Sequence, residues 1–160
     1  MVIIENFITK EQSDLFKNFH IENFNKLTDQ QKKIHGSTEI IKCERMISDY
    51  NEVAFKFLYT KLTNLIQYLS KNSIVNYSEI VKWPKGERQP PHKDFDYHTY
   101  TSILYLNDDF VGGETKVENE IIKPKKGKLI LFEGSKLNHE VLEIKEGTRY
   151  TNATWFITLK

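Results

Sequence analysis

The apolar positions of this chain change their period once. In the first third they recur at three- and four-residue steps, the spacing of one face of a helix. Thr9-Lys10-Glu11-Gln12 has the form of a capping box, with Leu15, Phe16 and Phe19 at helical spacing behind it. Asp49-Tyr50-Asn51-Glu52 opens a second, longer helix, whose stripe is Val53, Phe57, Leu58, Leu62, Leu65, Ile66 and Leu69. Residues 25–40 are polar and mixed, and read as loop.

Beyond about residue 74 the pattern becomes that of strands. Tyr77 to Trp83, Tyr100 to Leu106, Lys128 to Phe132, Val141 to Ile144 and Tyr150 to Leu159 are the predicted strands. Between them lie Trp83-Pro84-Lys85-Gly86, Gln89-Pro90-Pro91, Asn107-Asp108-Asp109, Gly112-Gly113, Pro124-Lys125-Lys126-Gly127 and Glu146-Gly147, all read as loop or turn. Many short strands with regular turns predict a barrel or sandwich, buttressed here by two helices: an α+β fold, mainly β. No repeat, low-complexity tract or linker interrupts it. The expected organisation is one domain over 1–160, with helical support over about 1–73 and a β core over about 74–160.

Composition narrows the function classes. Apolar residues make up 39% and aromatics 12%, which is globular rather than disordered. A net charge of +1 leaves no electrostatic footprint for nucleic acid or an anionic membrane. Cys43 is the one cysteine, which rules out an internal disulfide and suits a reducing compartment. The opening residues lack the basic and long apolar regions of a signal peptide, and no run approaches a membrane span. A soluble, cytoplasmic protein with no nucleic-acid or membrane partner is the expectation; the oligomeric state is not readable.

The candidate chemistry lies in His92-Lys93-Asp94, then His139, then Arg149. Two imidazoles and one carboxylate suit a divalent first-row metal, and a facial arrangement of the three leaves coordination positions open. Residues i and i+2 of a strand share a side, so His92 and Asp94 can aim at one ion, with His139 arriving from another strand. The set has no thiolate, which disfavours structural zinc and fits Fe(II), with Mn(II), Co(II) or Ni(II) as substitutes. An arginine beyond the distal histidine can clamp a carboxylate through its fork. Of the five histidines, His20 and His35 fall in the polar first third and read as surface residues.

Around those residues, in order, stand Trp83-Pro84-Lys85-Gly86, Thr101-x-x-x-Tyr105-Leu106-Asn107, Gly112-Gly113-Glu114-Thr115, Pro124-x-x-Gly127, Phe132, His139-Glu140-Val141, Gly147-Thr148-Arg149-Tyr150 and Trp155. This set, over about residues 77–157, resembles the prolyl 4-hydroxylase branch of the Fe(II)/2-oxoglutarate dioxygenases. The opening Ile3-Ile4-Glu5-Asn6-Phe7-Ile8 before a helix is similar to that family as well. The resemblance implies a double-stranded β-helix (jelly-roll) core with iron on His92, Asp94 and His139. It implies 2-oxoglutarate and O2 as cosubstrates, allows ascorbate, and implies hydroxylation of a prolyl residue in a peptide or protein with release of succinate and CO2. Arg149 would pair with the distal carboxylate of 2-oxoglutarate, with Tyr105, Thr101 and Trp83 as further contacts. His98, Trp155 and Asp96 would face the substrate.

Two positions depart from the family pattern. Trp83 stands where a tyrosine commonly contacts the cosubstrate, and an indole can only donate, from its N–H. His98 stands where a basic residue often meets peptide. Close alternatives are the same chemistry on another amino-acid side chain or a small molecule, and a catalytically silent jelly-roll that binds a partner. A metal-dependent hydrolase would need Glu140 as its base, on the strand face opposite His139. The dioxygenases that repair alkylated bases carry a second arginine where this chain has Trp155.

Overall fold

The computed structural model describes residues 1–36, 42–48 and 52–160. Its helices are α1 (Lys10–Phe24), α2 (Asp29–His35) and α3 (Val53–Leu69). Its strands are β1 (Val2–Ile4), β2 (Glu44–Ile47), β3 (Ser73–Trp83), β4 (Gln89–His92), β5 (Tyr100–Tyr105), β6 (Val111–Gly112), β7 (Thr115–Val117), β8 (Glu120–Ile122), β9 (Leu129–Phe132), β10 (His139–Val141), β11 (Ile144–Glu146) and β12 (Arg149–Thr158). A six-stranded sheet runs in the order β1-β9-β5-β12-β3-β2, a four-stranded one in the order β4-β10-β7-β8, and β11 pairs with β6. The non-consecutive neighbours are those of a jelly-roll.

Strand alternation decides which side each residue serves. On β9, Leu129 and Leu131 join the core under the helices with Phe16, Phe55, Leu58, Leu62 and Ile66. Ile130 and Phe132 point the other way, into a cluster with Tyr105, Val117 and Ile122 between the two sheets. All four β9 residues are therefore buried, so the strand reads as an unbroken apolar run. Phe55 is fully buried and meets Phe16 and Phe19 at 5.4 and 5.0 Å. Phe55→Ala is expected to cost about 3–5 kcal/mol of stability, read from the midpoint of a urea melt.

The Thr9 capping box forms: Gln12 N donates to Thr9 Oγ1 (3.1 Å) and Thr9 N to Gln12 Oε1 (2.9 Å). The buried face of α1 is Ser13, Phe16, His20 and Phe24, whereas Leu15 is exposed. His20 is thus a core residue: its ring stacks on Phe24 at 5.1 Å and its Nε2 lies 3.3 Å from Glu44 Oε2. His35 is half-buried, with Nδ1 accepting from Ile47 N. On α3 the core face is Phe55, Leu58, Leu62 and Ile66, while Val53, Phe57 and Leu69 are exposed. The stripe is real but rotated toward Phe55. Asp49, Tyr50 and Asn51, expected to open this helix, lie outside the described residues; Glu52 precedes its first turn.

Two loop expectations and one strand expectation are corrected. Residues 29–35 form α2, started by a Thr28–Gln31 capping box and ended by Gly36 at φ +85°. None of its residues is buried, so it has no apolar stripe to reveal it. Gln89-Pro90-Pro91 belongs to β4, at the edge of its sheet, where a missing proline N–H leaves few ladder bonds unmade. The run Val141 to Ile144 is split, since β10 ends at Val141 and β11 begins at Ile144 in a different sheet. Among the described residues no helix is long and apolar enough to cross a membrane.

Candidate active site

Antiparallel pairing of β4 with β10 sets His92 directly opposite His139, and their rings meet at 4.2 Å between centroids. Asp94 lies two residues beyond His92, past the end of β4. One ligand atom from each of the three comes within 4.8 Å of the others. Asp94 Oδ1 is 4.0 Å from His92 Nε2, and Oδ2 is 3.6 Å from His139 Nε2. Each imidazole sets its Nδ1 against a carbonyl, that of Pro90 (3.0 Å) for His92 and that of Leu137 (3.1 Å) for His139. A carbonyl only accepts, so Nδ1 carries the proton and the Nε2 lone pair faces the centre. Gln89 Nε2 donates to that lone pair of His92 at 3.1 Å.

The electrostatics match the geometry. Burial lowers the pKa of His92, against the opposing pull of the Pro90 carbonyl. Burial raises the Asp94 carboxyl, but the neighbouring His139 ring and the hydrogen bond from Thr101 outweigh it and hold the group at about 2. An imidazole pushed toward its neutral form at His92, beside an ionised Asp94, suits a divalent ion. Thr101 donates its hydroxyl to Asp94 Oδ2.

At the other end of the same cavity, of about 410 Å³, lies Arg149. It opens β12 opposite Trp83 and is only 1% exposed. Its Nη2 donates to Thr115 Oγ1 at 3.1 Å, while Nε has no partner. The guanidinium sits 5.4 Å from the Trp83 ring centre and 5.5 Å from that of Tyr105. Among the described residues no carboxylate forms an ion pair with it. Burial lowers its pKa, yet an arginine stays charged, and a buried cation without a counter-charge is costly. Nearby, the buried Trp83 Nε1 is also unpartnered. Gly113, at φ +64°, keeps this corner open: a Cβ there would stand 3.1 Å from Arg149 Cδ and 3.0 Å from Phe110 Cε2.

Thr115 was given no role in the sequence reading, although it ends the Gly112-Gly113-Glu114-Thr115 motif. Its Oγ1 accepts from Tyr105 Oη (2.6 Å) and from Arg149 Nη2, so its own hydroxyl proton is free to be donated. Tyr105 therefore spends its hydroxyl proton on Thr115 in this structure. Glu79 was missed as well. Although 1% exposed, it accepts from Arg45 Nε (2.7 Å) and Tyr77 Oη (2.8 Å) in the cavity wall. Burial raises its pKa, with Arg45 opposing. No pattern marked it, because its partners come from β2 and from two residues back on β3.

On the side facing away from Arg149, the buried His98 bonds Asn76 through Nε2 at 3.1 Å. Trp155 lies 6.0 Å from His98 and 5.5 Å from Tyr77 between ring centres. Phe95 and Tyr97 are exposed and stacked at 5.5 Å and 6°. Asp96 is exposed and does not line the cavity. Cys43 does line it; burial, and then the Glu87 charge, push its thiol up to about 12. The reactive form is the thiolate, so native Cys43 is expected to resist iodoacetamide at neutral pH and to be labelled once urea unfolds the chain.

Comparison with known proteins agrees with this picture. The model of the 2OG-Fe(II) oxygenase superfamily matches residues 75–157, just over half of the chain. Human prolyl 3-hydroxylase 2 is 36% identical over 77 residues, which are 43% of this chain and 11% of that protein. Chicken (Gallus gallus) prolyl 3-hydroxylase 1 is 32% identical over 77 residues, 43% of this chain and 10% of that protein. The chain therefore spans about a tenth of the length of these relatives. Among solved structures, a Pseudomonas putida prolyl-4-hydroxylase superposes with a TM-score of 0.79 at 16% identity, covering 99% of this chain and 92% of that one. A viral collagen prolyl hydroxylase from Paramecium bursaria Chlorella virus-1, bound to 2OG, gives 0.72 at 19%, covering 99% and 96%. A Trichoplax adhaerens prolyl hydroxylase, bound to a hypoxia inducible factor peptide, gives 0.76 at 19%, covering 98% and 83%. These likenesses establish the jelly-roll fold.

Proposed function

This chain belongs to the 2OG-Fe(II) oxygenase superfamily, and from that premise we propose that it is an Fe(II)- and 2-oxoglutarate-dependent hydroxylase of prolyl residues in a peptide or protein. The observation that carries the reading is Arg149, a buried cation with no counter-charge among the described residues, in one cavity with three convergent side chains able to hold a metal. The fit to iron rests on the donor set, two imidazole nitrogens and one carboxylate oxygen with no thiolate. When bound, iron, 2-oxoglutarate and O2 together supply the oxidant for an unactivated C–H bond and leave succinate and CO2.

The residues then divide the work. His92, Asp94 and His139 would hold the ion. Arg149 and the free proton of Thr115 take the distal carboxylate of the cosubstrate, and Tyr105 fixes Thr115 in place. The orphaned Trp83 N–H is a further donor toward the same ligand, in the role a tyrosine commonly fills. Ile103, Val81, Ala153 and Val141 make the wall between apolar and keep water out. The substrate enters past His98 and Trp155, where aromatic faces suit a pyrrolidine ring, with the Phe95–Tyr97 stack at the mouth.

We treat residues 1–160 as one dioxygenase domain and place it, with its single thiol, in the cytoplasm; ascorbate completes the proposed reaction mixture. The test is succinate release against a panel of proline-bearing peptides, with mass spectrometry of the product. A peptide heavier by one oxygen on proline is expected, and fragmentation separates the 3- from the 4-position. Succinate formation that no proline-bearing peptide stimulates would overturn the prolyl assignment. Absence of any 2-oxoglutarate turnover would overturn the enzyme reading.

A further inference from the structure

Six of the seven glycines adopt positive φ, where a side chain is strained; Gly134 does not. What Gly134 contributes is therefore space. A Cβ built on it would overlap both Thr101 Oγ1 and Asp94 Oδ2 and would stand 3.0 Å from Thr101 Cβ. Its carbonyl meanwhile accepts from Asp94 N at 3.0 Å.

Asp94 needs such support. It lies beyond the last residue of β4, so the sheet ladder does not fix its backbone. Two anchors replace the ladder: the Gly134 carbonyl on its N–H, and the Thr101 hydroxyl on Oδ2. Thr101 in turn is held in the middle of the large sheet, paired with Phe132 on one side and Trp155 on the other. We infer that Gly134 and Thr101 are positioning residues that lock the Asp94 carboxylate, keeping Oδ2 engaged and presenting Oδ1 to a divalent metal. One carboxylate oxygen and two imidazoles would offer a metal three donors, whereas a carboxylate swung to bidentate would offer a fourth and take up room for other ligands. Thr101 then serves Asp94 rather than the cosubstrate, and glycine at 134 is required because the carboxylate and the hydroxyl already fill the volume of a methyl group.

The inference rests on the metal-site reading above. The experiment titrates the whole chain with Mn(II) alone under anaerobic conditions, following free Mn(II) by electron paramagnetic resonance, beside a thermal melt of the metal-free protein. Gly134→Ala is expected to weaken Mn(II) on the order of tenfold to a hundredfold, the usual range for side chains that orient a metal ligand, with little change in the metal-free melt. Thr101→Val keeps the volume and β-branching of threonine and so folds whatever happens at Gly134. It is expected to weaken Mn(II) at least tenfold, while Thr101→Ser, which keeps the hydroxyl, restores near-wild-type affinity. Wild-type affinity in Thr101→Val, or in folded Gly134→Ala, overturns the lock while leaving the metal site standing. Failure of the wild-type chain to take up Mn(II) overturns both.

Discussion

Replacing Arg149 by methionine is expected to make the ligand-free chain more stable and to abolish its response to 2-oxoglutarate. The two effects share one cause. The guanidinium is 1% exposed, faces two aromatic rings, and has one side-chain acceptor and an orphaned Nε. Stacking on Trp83 and Tyr105 returns on the order of 1–2 kcal/mol, and the Thr115 bond about 1.5–3 kcal/mol. Taking an ion out of water costs several kcal/mol even after relaxation, so the cost wins while no anion is present. Methionine fills a similar volume without charge, and a gain of about 1–3 kcal/mol is expected, as when hydrophobic side chains replace buried ions. With 2-oxoglutarate and Mn(II) added the order reverses. The wild type gains stability from a ligand that supplies the missing negative charge, and the variant does not. Losing one half of a buried, hydrogen-bonded charge pair costs about 2–5 kcal/mol, or roughly thirtyfold to several thousandfold in affinity. Urea melts of both chains, with and without ligand, measure all four numbers. A less stable Arg149→Met in the absence of ligand would show the arginine to be a structural cation. Arg149→Lys should fall between the two, since a point charge replaces a fork.

The parts of this site legible in the sequence are those that obey a local period or a short spacing. His92-Lys93-Asp94 could be read from its short spacing, although Asp94 stands past the end of β4 and not on the strand face expected for it, and Arg149 because its motif neighbours are contiguous. The helical stripe of α3 and the strands β5, β9 and β12 were readable for the same reason. What escaped depends on contacts across the fold. Thr115 acquires meaning only when β5 and β12 deliver Tyr105 and Arg149 to the same hydroxyl. Glu79 needs Arg45 from a neighbouring strand. His20 looked polar in its segment and became core because Phe24 and Tyr150 enclose it. α2 was hidden for the opposite reason: none of its residues is buried, so only its capping residues could have revealed it. Among the described residues no carboxylate pairs with Arg149; that feature, which supports the functional reading most strongly, is a property of assembled space and has no signature along the chain.

His139→Ala should remove metal binding and succinate formation together while leaving the fold nearly intact. His139 contributes to the jelly-roll mainly through ring contacts, at 4.8 Å to Phe132 and 4.2 Å to His92, and it opens β10 through main-chain bonds that alanine retains. A loss of about 1–2 kcal/mol of stability is expected from that packing. Its share of the ion is larger. With one nitrogen gone, His92 and Asp94 are left as two adjacent donors from one chain segment, and nothing from β10 closes the site. At a Mn(II) concentration a hundred times its dissociation constant, the wild type should gain about 2.7 kcal/mol of stability by mass action, and the variant close to none. Peptide-dependent succinate release should fall to background in the same sample. The pairing of the two readouts separates the explanations: lost turnover with an intact Mn(II) shift would place His139 in the reaction but off the metal, whereas loss of both in a chain that still melts cooperatively is what a metal ligand requires.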